Sequence, residues 1–111
     1  MKFEKKMKAY ELLGSSNAWC QESPGEDAHG NKVDALDPEA TKWCALGAIQ
    51  KVYPPVQWEE MMDRLLRALS VSETGAAQLT KSDKACCLME WNDDSRSSFS
   101  DIREALNRAD I

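Results

Sequence analysis

The chain has 111 residues, of which 42% are hydrophobic and 30% charged, a balance that suits one folded helical domain over 1–111 rather than a disordered segment. Its net charge of -5 comes from 14 basic and 19 acidic residues of interspersed sign, which argues against binding nucleic acid through a concentrated Lys/Arg patch. No uncharged run approaches the roughly 20 residues of a membrane helix, so no membrane partner is expected.

The first eight residues are lysine-rich, but the stretch Ala9–Gly14 is too short and interrupted for the apolar region of a signal peptide. A soluble, cytoplasmic chain with reduced thiols is therefore expected. Among the four cysteines, Cys86 and Cys87 are adjacent and would bond each other only with strain. An oxidised Cys20–Cys44 pair is the alternative.

Periodicity predicts a first helix over 2–13, with Phe3, Met7, Tyr10 and Leu13 on one side and Lys2, Lys5, Lys6 and Glu11 elsewhere. Gly14 to Asn17 stop it, and Ala18-Trp19-Cys20 suit either a short helix or an extended segment. Residues 21–37 form the main loop, whose Pro24, Gly25 and Gly30 mark turns. A small β-hairpin near 27–33 is the one β feature expected. A second helix is then predicted from Asp37 as N-cap, through Pro38 at the first helical position, to about Tyr53. Its residues are apolar almost all round, and Gly47, costing about 1 kcal/mol against alanine inside a helix, implies that a neighbouring group comes close.

Pro54-Pro55 end that helix, and 56–69 form an amphipathic one with Trp58, Met61, Met62, Leu65, Leu66 and Leu69 on its apolar stripe. Residues 70–82 read as a polar connector with a helical turn at 76–79. Ser82 is expected to cap a short helix ending at Trp91, packed through some of Cys86, Leu88, Met89 and Trp91. A turn follows at 92–97. Ser98 and Asp101 then make a capping box for the last helix, with Phe99, Ile102, Leu106 and Ala109 inward. The fold class expected is all-α, about five helices in one compact domain.

Chemistry is harder to find. Cys20, His29, Cys44, Cys86 and Cys87 could ligate a metal, but their spacing lacks the close pairs of structural zinc sites. A nucleophilic Cys44 or Cys20, activated by His29 and oriented by Asp93, meets the objection that a mid-helix Cys44 beside Trp43 would be desolvated and quiet. Asn92, Asp93 and Asp94 lack the alternating oxygen ligands of a calcium loop and suit local bonding in a turn. No catalytic residue, metal ligand or cofactor is assigned. Trp19, Trp43, Cys44, Gly47, Trp58 and Trp91 are the expected structural core. The candidate partner surface is the lysine-rich start, with Lys5 and Lys8, and the polar side of helix 56–69, with Glu60, Asp63, Arg64 and Arg67.

Trp19-Cys20, then Trp43-Cys44-Ala45-Leu46-Gly47-Ala48, then Trp91-Asn92-Asp93 before a serine-capped helix also resemble a family of small uncharacterised bacterial and bacteriophage proteins. That domain of unknown function is marked by Trp-Cys, Trp-Cys-x-x-Gly-Ala and Trp-Asn-Asp, and the resemblance covers about residues 10–109. It implies a bacterial or phage origin but no activity, cofactor or catalytic residue. The function expected is that of a small, non-enzymatic intracellular protein that contacts a larger host or cellular protein complex. For a phage-encoded chain, inhibition of a host defence complex is the natural use. The alternative is a thiol- or metal-dependent enzyme or binder using Cys20, His29, Cys44 and Asp93, and a homo-oligomer paired through helix 56–69 is a third arrangement.

Overall fold

A computed structural model describes residues 7–69 and 80–111. Within them the chain forms α1 (Ala9–Leu12), a 3-10 turn (Ser16–Ala18), β1 (Gly25–Asp27), β2 (Lys32–Val33), β3 (Ala40–Trp43), α2 (Ala45–Val52), α3 (Pro55–Ala68), α4 (Lys81–Asp93) and α5 (Phe99–Ala109). Five helices thus accompany a three-stranded antiparallel sheet of order β2-β1-β3, so the fold is mostly helical but not all-α.

The sheet arises where the long second helix was expected. Asp37 does not cap a helix: its carboxylate accepts the Glu39 N–H at 2.8 Å and its carbonyl accepts the Ala40 N–H at 3.0 Å. Asp at the first and Pro at the second position is equally the signature of a β-turn, and here the turn is the outcome. The following Ala40-Thr41-Lys42-Trp43, with a β-branched and an aromatic residue, pairs with β1 in the register Gly25↔Trp43, Glu26↔Lys42 and Asp27↔Ala40, with a bulge between Glu26 and Asp27. The hairpin expected near 27–33 is present as β1–β2, with Gly25 opposite Val33. Trp19 forms a parallel bridge to Trp43, drawing the two Trp-Cys segments side by side.

Other boundaries shift for similar local reasons. Within the described part of the 2–13 prediction, the helix is only Ala9–Leu12, while Lys5 lies outside the described residues. Thr80, not Ser82, caps α4: its hydroxyl accepts the Asp83 N–H at 3.1 Å while the Asp83 carboxylate accepts the Thr80 N–H at 3.4 Å. That helix continues through Asp93, so Asn92 and Asp93 are helical rather than turn residues. The helical turn expected at 76–79 lies outside the described residues. At α5 the Ser98–Asp101 capping box is present as expected.

Helix α3 sits against α2, α4 and α5, and α1 bridges α2 and α5. The core is built from Ala45 to Ile49 of α2, Met61, Met62, Leu65 and Leu66 of α3, Leu88 of α4, and Ile102, Ala105 and Leu106 of α5. Leu13 and Ile111 are also fully buried in it. Each fully buried Leu, Ile or Met contributes about 1.5–3 kcal/mol. The stripe of α3 is thus consumed inside the chain. Only Leu88 of the four apolar residues proposed for α4 is buried; Cys86 and Met89 are exposed and Trp91 is half-buried. Among the described residues no helix is long and apolar enough to cross a membrane.

Candidate functional site

The three tryptophan motifs meet at one buried side chain, Asn92, which has no exposed surface. Its Oδ1 accepts the Trp19 Nε1–H at 2.8 Å and the Ala45 N–H at 2.9 Å. Its Nδ2 donates to the Cys20 carbonyl at 3.1 Å and to Asp93 Oδ1 at 2.9 Å. The Asn92 carbonyl accepts Gln21 Nε2–H at 2.9 Å, and Asp93 Oδ1 also accepts the Glu22 N–H at 2.8 Å. Glu22 is held there at φ 70°, a left-handed conformation that a non-glycine residue rarely adopts.

This unit explains the start of α2. The Ala45 N–H is one of the orphan donors of a helix N-terminus, and Asn92 satisfies it from a different helix. Cys44 is the N-cap rather than a mid-helix residue, and its Sγ accepts the Gly47 N–H at 3.2 Å. Gly47 is required by close approach, as the sequence implied: a Cβ there would lie 2.0 Å from the Pro24 carbonyl oxygen. That same oxygen accepts the Cys44 N–H at 3.3 Å.

The tryptophans are half-buried and packed on the core. Trp19 lies tilted against Phe99 with ring centroids 6.3 Å apart. Trp43 Nε1–H donates to the Ala35 carbonyl at 3.0 Å, and Trp58 Nε1–H to the Tyr53 carbonyl at 2.7 Å. The Trp91 carbonyl accepts the Ser97 hydroxyl at 2.6 Å. Sequence reasoning missed the role of Asn92, because a helix-terminal Asn-Asp reads locally as a turn and nothing in the spacing announces a partner 47 residues away.

A small cavity of about 250 Å³ opens beside this unit, lined by Glu22, Ser23, Cys44, Met89 and Asp93. Its thiol belongs to Cys44. A helix N-terminus favours thiolate, but burial outweighs it and pushes the Cys44 thiol up, with the Asp93 charge adding to the rise. Burial likewise pushes Cys20 up to about 11. Cys86 is raised first by the neighbouring Glu90 charge. His29 is exposed at the hairpin turn, where the Asp27 carboxylate accepts its backbone N–H at 2.9 Å. Hydrogen bonds from Asn31 hold that carboxylate below its usual range. Among the described residues no group of three or more His, Cys, Asp or Glu side chains is placed to hold a metal ion.

The charged residues proposed for partner contact largely clasp the chain's own elements. Lys8 is ion-paired with Asp110, whose carbonyl and carboxylate also lie 3.3 and 3.9 Å from Arg64. Asp63 and Glu59 each lie 2.9 Å from the ammonium of Lys84, which is only 4% exposed. The Asp63 oxygen sits off the axis of a good hydrogen bond, so charge more than direction holds that contact. Arg67 Nε–H donates to the Asp63 carbonyl at 3.4 Å, and Glu60 is exposed. Lys84 was not visible as a site residue, although Glu59 and Asp63, four apart on α3, already placed two acids on one face.

A different part of the surface is open and apolar. Helix α2 ends at Val52, Pro54-Pro55 turn the chain into α3, and the segment from Met7 to Leu12 lies across this corner. Between them is a groove of about 430 Å³ walled by Met7, Leu12, Val52, Pro54, Gln57 and, as its one charged residue among those described, Lys51. Met7 is 49% exposed, and Val56 beside the turn is 90% exposed. Isolated exposed apolar residues are ordinary, whereas here several gather round one concavity.

No curated protein and no solved structure matches the chain. A family model does: Family of unknown function (DUF6197) matches residues 7–110, nearly the whole chain, and the protein belongs to that family.

Proposed function

We propose that this is a small non-enzymatic binding protein that works through protein–protein contacts, with the corner groove as its docking surface. The observation that carries the reading is the open apolar groove of about 430 Å³ between Met7, Leu12 and the Val52–Gln57 turn. The contrast with the motif unit supports it: there the thiols are desolvated and the polar atoms of Asn92 are engaged internally, which leaves little for catalysis. The partner on this reading is a larger host or cellular protein complex met in the cytoplasm, with no cofactor and no direct nucleic-acid contact. Inhibition of a host defence complex is the specific form that a phage origin gives to the proposal.

The test compares affinity capture by the tagged full chain with capture by Met7→Asp and Val52→Asp, which place a carboxylate on the groove wall. The expected result is a stoichiometric complex retained by the parent and lost by both variants, while their thermal unfolding stays cooperative. Retention unchanged in both variants would remove the groove from the reading. Repeated failure of the parent to retain any stoichiometric protein would remove the reading itself.

A further inference from the structure

We infer that the groove takes an apolar peptide segment flanked by carboxylates, an inference that rests on the protein-binding reading above and names its partner's chemistry. The chain is acidic overall, with 19 acidic against 14 basic residues, yet among the described residues Lys51 is the single charged one on the groove wall. The acid of α1, Glu11, accepts the Lys8 backbone N–H and is not part of that wall. Near Tyr53, on the same wall, stand two cations, Lys8 and Arg64, against one carboxylate, Asp110, with which both are paired. The local balance is therefore positive within a negative protein. A ligand complementary to it presents apolar side chains to Leu12, Val52 and Pro54 and an Asp or Glu to Lys51.

An anionic lipid surface shares this charge preference but not the shape. A bilayer is met by an apolar face laid into the interface plane, whereas these apolar groups line a concavity sized for individual side chains. A peptide is the occupant the geometry favours.

The experiment uses the isotopically labelled full chain and three probes: a peptide with a Leu/Phe anchor flanked by Asp and Glu, an equal-length peptide with Lys flanks, and phosphatidylserine–phosphatidylcholine vesicles. Binding of the acidic-flanked peptide is expected to shift the amide signals of Leu12, Lys51 and Gln57. Lys51→Glu is expected to weaken that peptide about threefold to tenfold and to strengthen the Lys-flanked one, the scale of reversing an exposed ion pair. Lys51 is exposed, so the variant keeps its fold, which its unchanged melting curve confirms.

Equal binding of the two peptides, a preference unmoved by Lys51→Glu, signal shifts elsewhere, or binding to vesicles alone would each overturn the inference. If the peptides fail in any of these ways while Met7→Asp and Val52→Asp still lose the captured protein, the docking reading stands and only the ligand chemistry falls. If the groove variants keep the protein as well, both fall.

Discussion

The region around Asn92 and the corner groove between α1 and the α2–α3 turn differ in how they treat polar groups. Around Asn92, side-chain and backbone atoms from the first Trp-Cys pair, the N-terminus of α2 and the end of α4 are paired with one another and withdrawn from water. At the groove, apolar side chains remain at the surface around one lysine. The most distinctive residues of the sequence are thus committed to holding three segments together, and the surface proposed for a partner is built from unremarkable ones. A motif made of large rings and small polar groups signals architecture here, because a buried amide can terminate several loose ends at once.

The largest expected effect follows from that commitment. Asn92→Ala leaves the Trp19 N–H, the Ala45 N–H and the Cys20 carbonyl without their partner, at about 1–3 kcal/mol each, so a loss of at least about 3 kcal/mol is expected. For a domain of ordinary stability this is a large share of the total. Urea unfolding measures it, and a loss below about 1 kcal/mol would show that water replaces Asn92 cheaply. Asn92→Asp retains the acceptor but loses the donor and sets a second carboxylate beside Asp93. It should fare no better.

Gly47→Ala comes next and makes a sharper test, since helix propensity alone predicts a gain of about 1 kcal/mol. The added Cβ meets the Pro24 backbone at 2.0 Å, so the loop that carries Glu22 and Pro24 must move away from α2. A net loss of about 1–3 kcal/mol is expected, the scale of core overpacking. A stabilised variant would mean that the loop is held only weakly.

How legible this was depends on the range of the interaction involved. The Ser98–Asp101 box, the stripe of α3 and the need for close approach at Gly47 are set by neighbours in sequence or by one missing atom, and each appears where the residues indicated. The Asp37-Pro38 start failed because cap and turn share their chemistry, and the choice was made by β1, 10 or more residues earlier, offering a strand partner. Ser82 was expected to cap α4, but Thr80 takes that place through its reciprocal bond with Asp83. Asn92 and Lys84 were hidden for a further reason. Their partners lie on other helices, and a buried polar residue looks like an exposed one until the packing is known.

Lys84 offers a pH-dependent contrast with the groove. Pairing with Asp63 and then Glu59 raises the Lys84 pKa, so its contribution is present below its unfolded value of about 10.4 and is lost as pH rises through the folded one. Glu59 is held low by Lys84, so its contribution is present above about 4.3 and is lost as pH falls. Arg96 holds Asp94 at about 2 and Lys8 lowers Asp110, which extend the acid side in the same direction. The urea midpoint should therefore be flat from about pH 5 to 8 and fall on both sides, the alkaline side beginning with the buried Cys20 and Cys44 thiols. Lys84→Met should lower the plateau and remove the Lys84 part of the alkaline fall, while the part due to the buried Cys20 and Cys44 thiols, which begins above their unfolded value of about 8.5, remains. A parallel alkaline limb in the variant would place the titrating group elsewhere.

The smallest stability effect should belong to the region proposed to matter most for function. Met7 is 49% exposed and contributes to the groove rim rather than to the buried cluster, so Met7→Asp should change the unfolding free energy by no more than about 0.5 kcal/mol. The same substitution is expected to abolish partner capture, because it places a carboxylate where the groove would otherwise meet apolar side chains and where Lys51 favours acidic flanks. Stability and binding would then be separated in one protein: Asn92→Ala loses the fold and binding together, whereas Met7→Asp loses binding alone. If Met7→Asp instead destabilised the chain by several kcal/mol, Met7 would be a core residue, and the groove would be a packing defect rather than a docking surface.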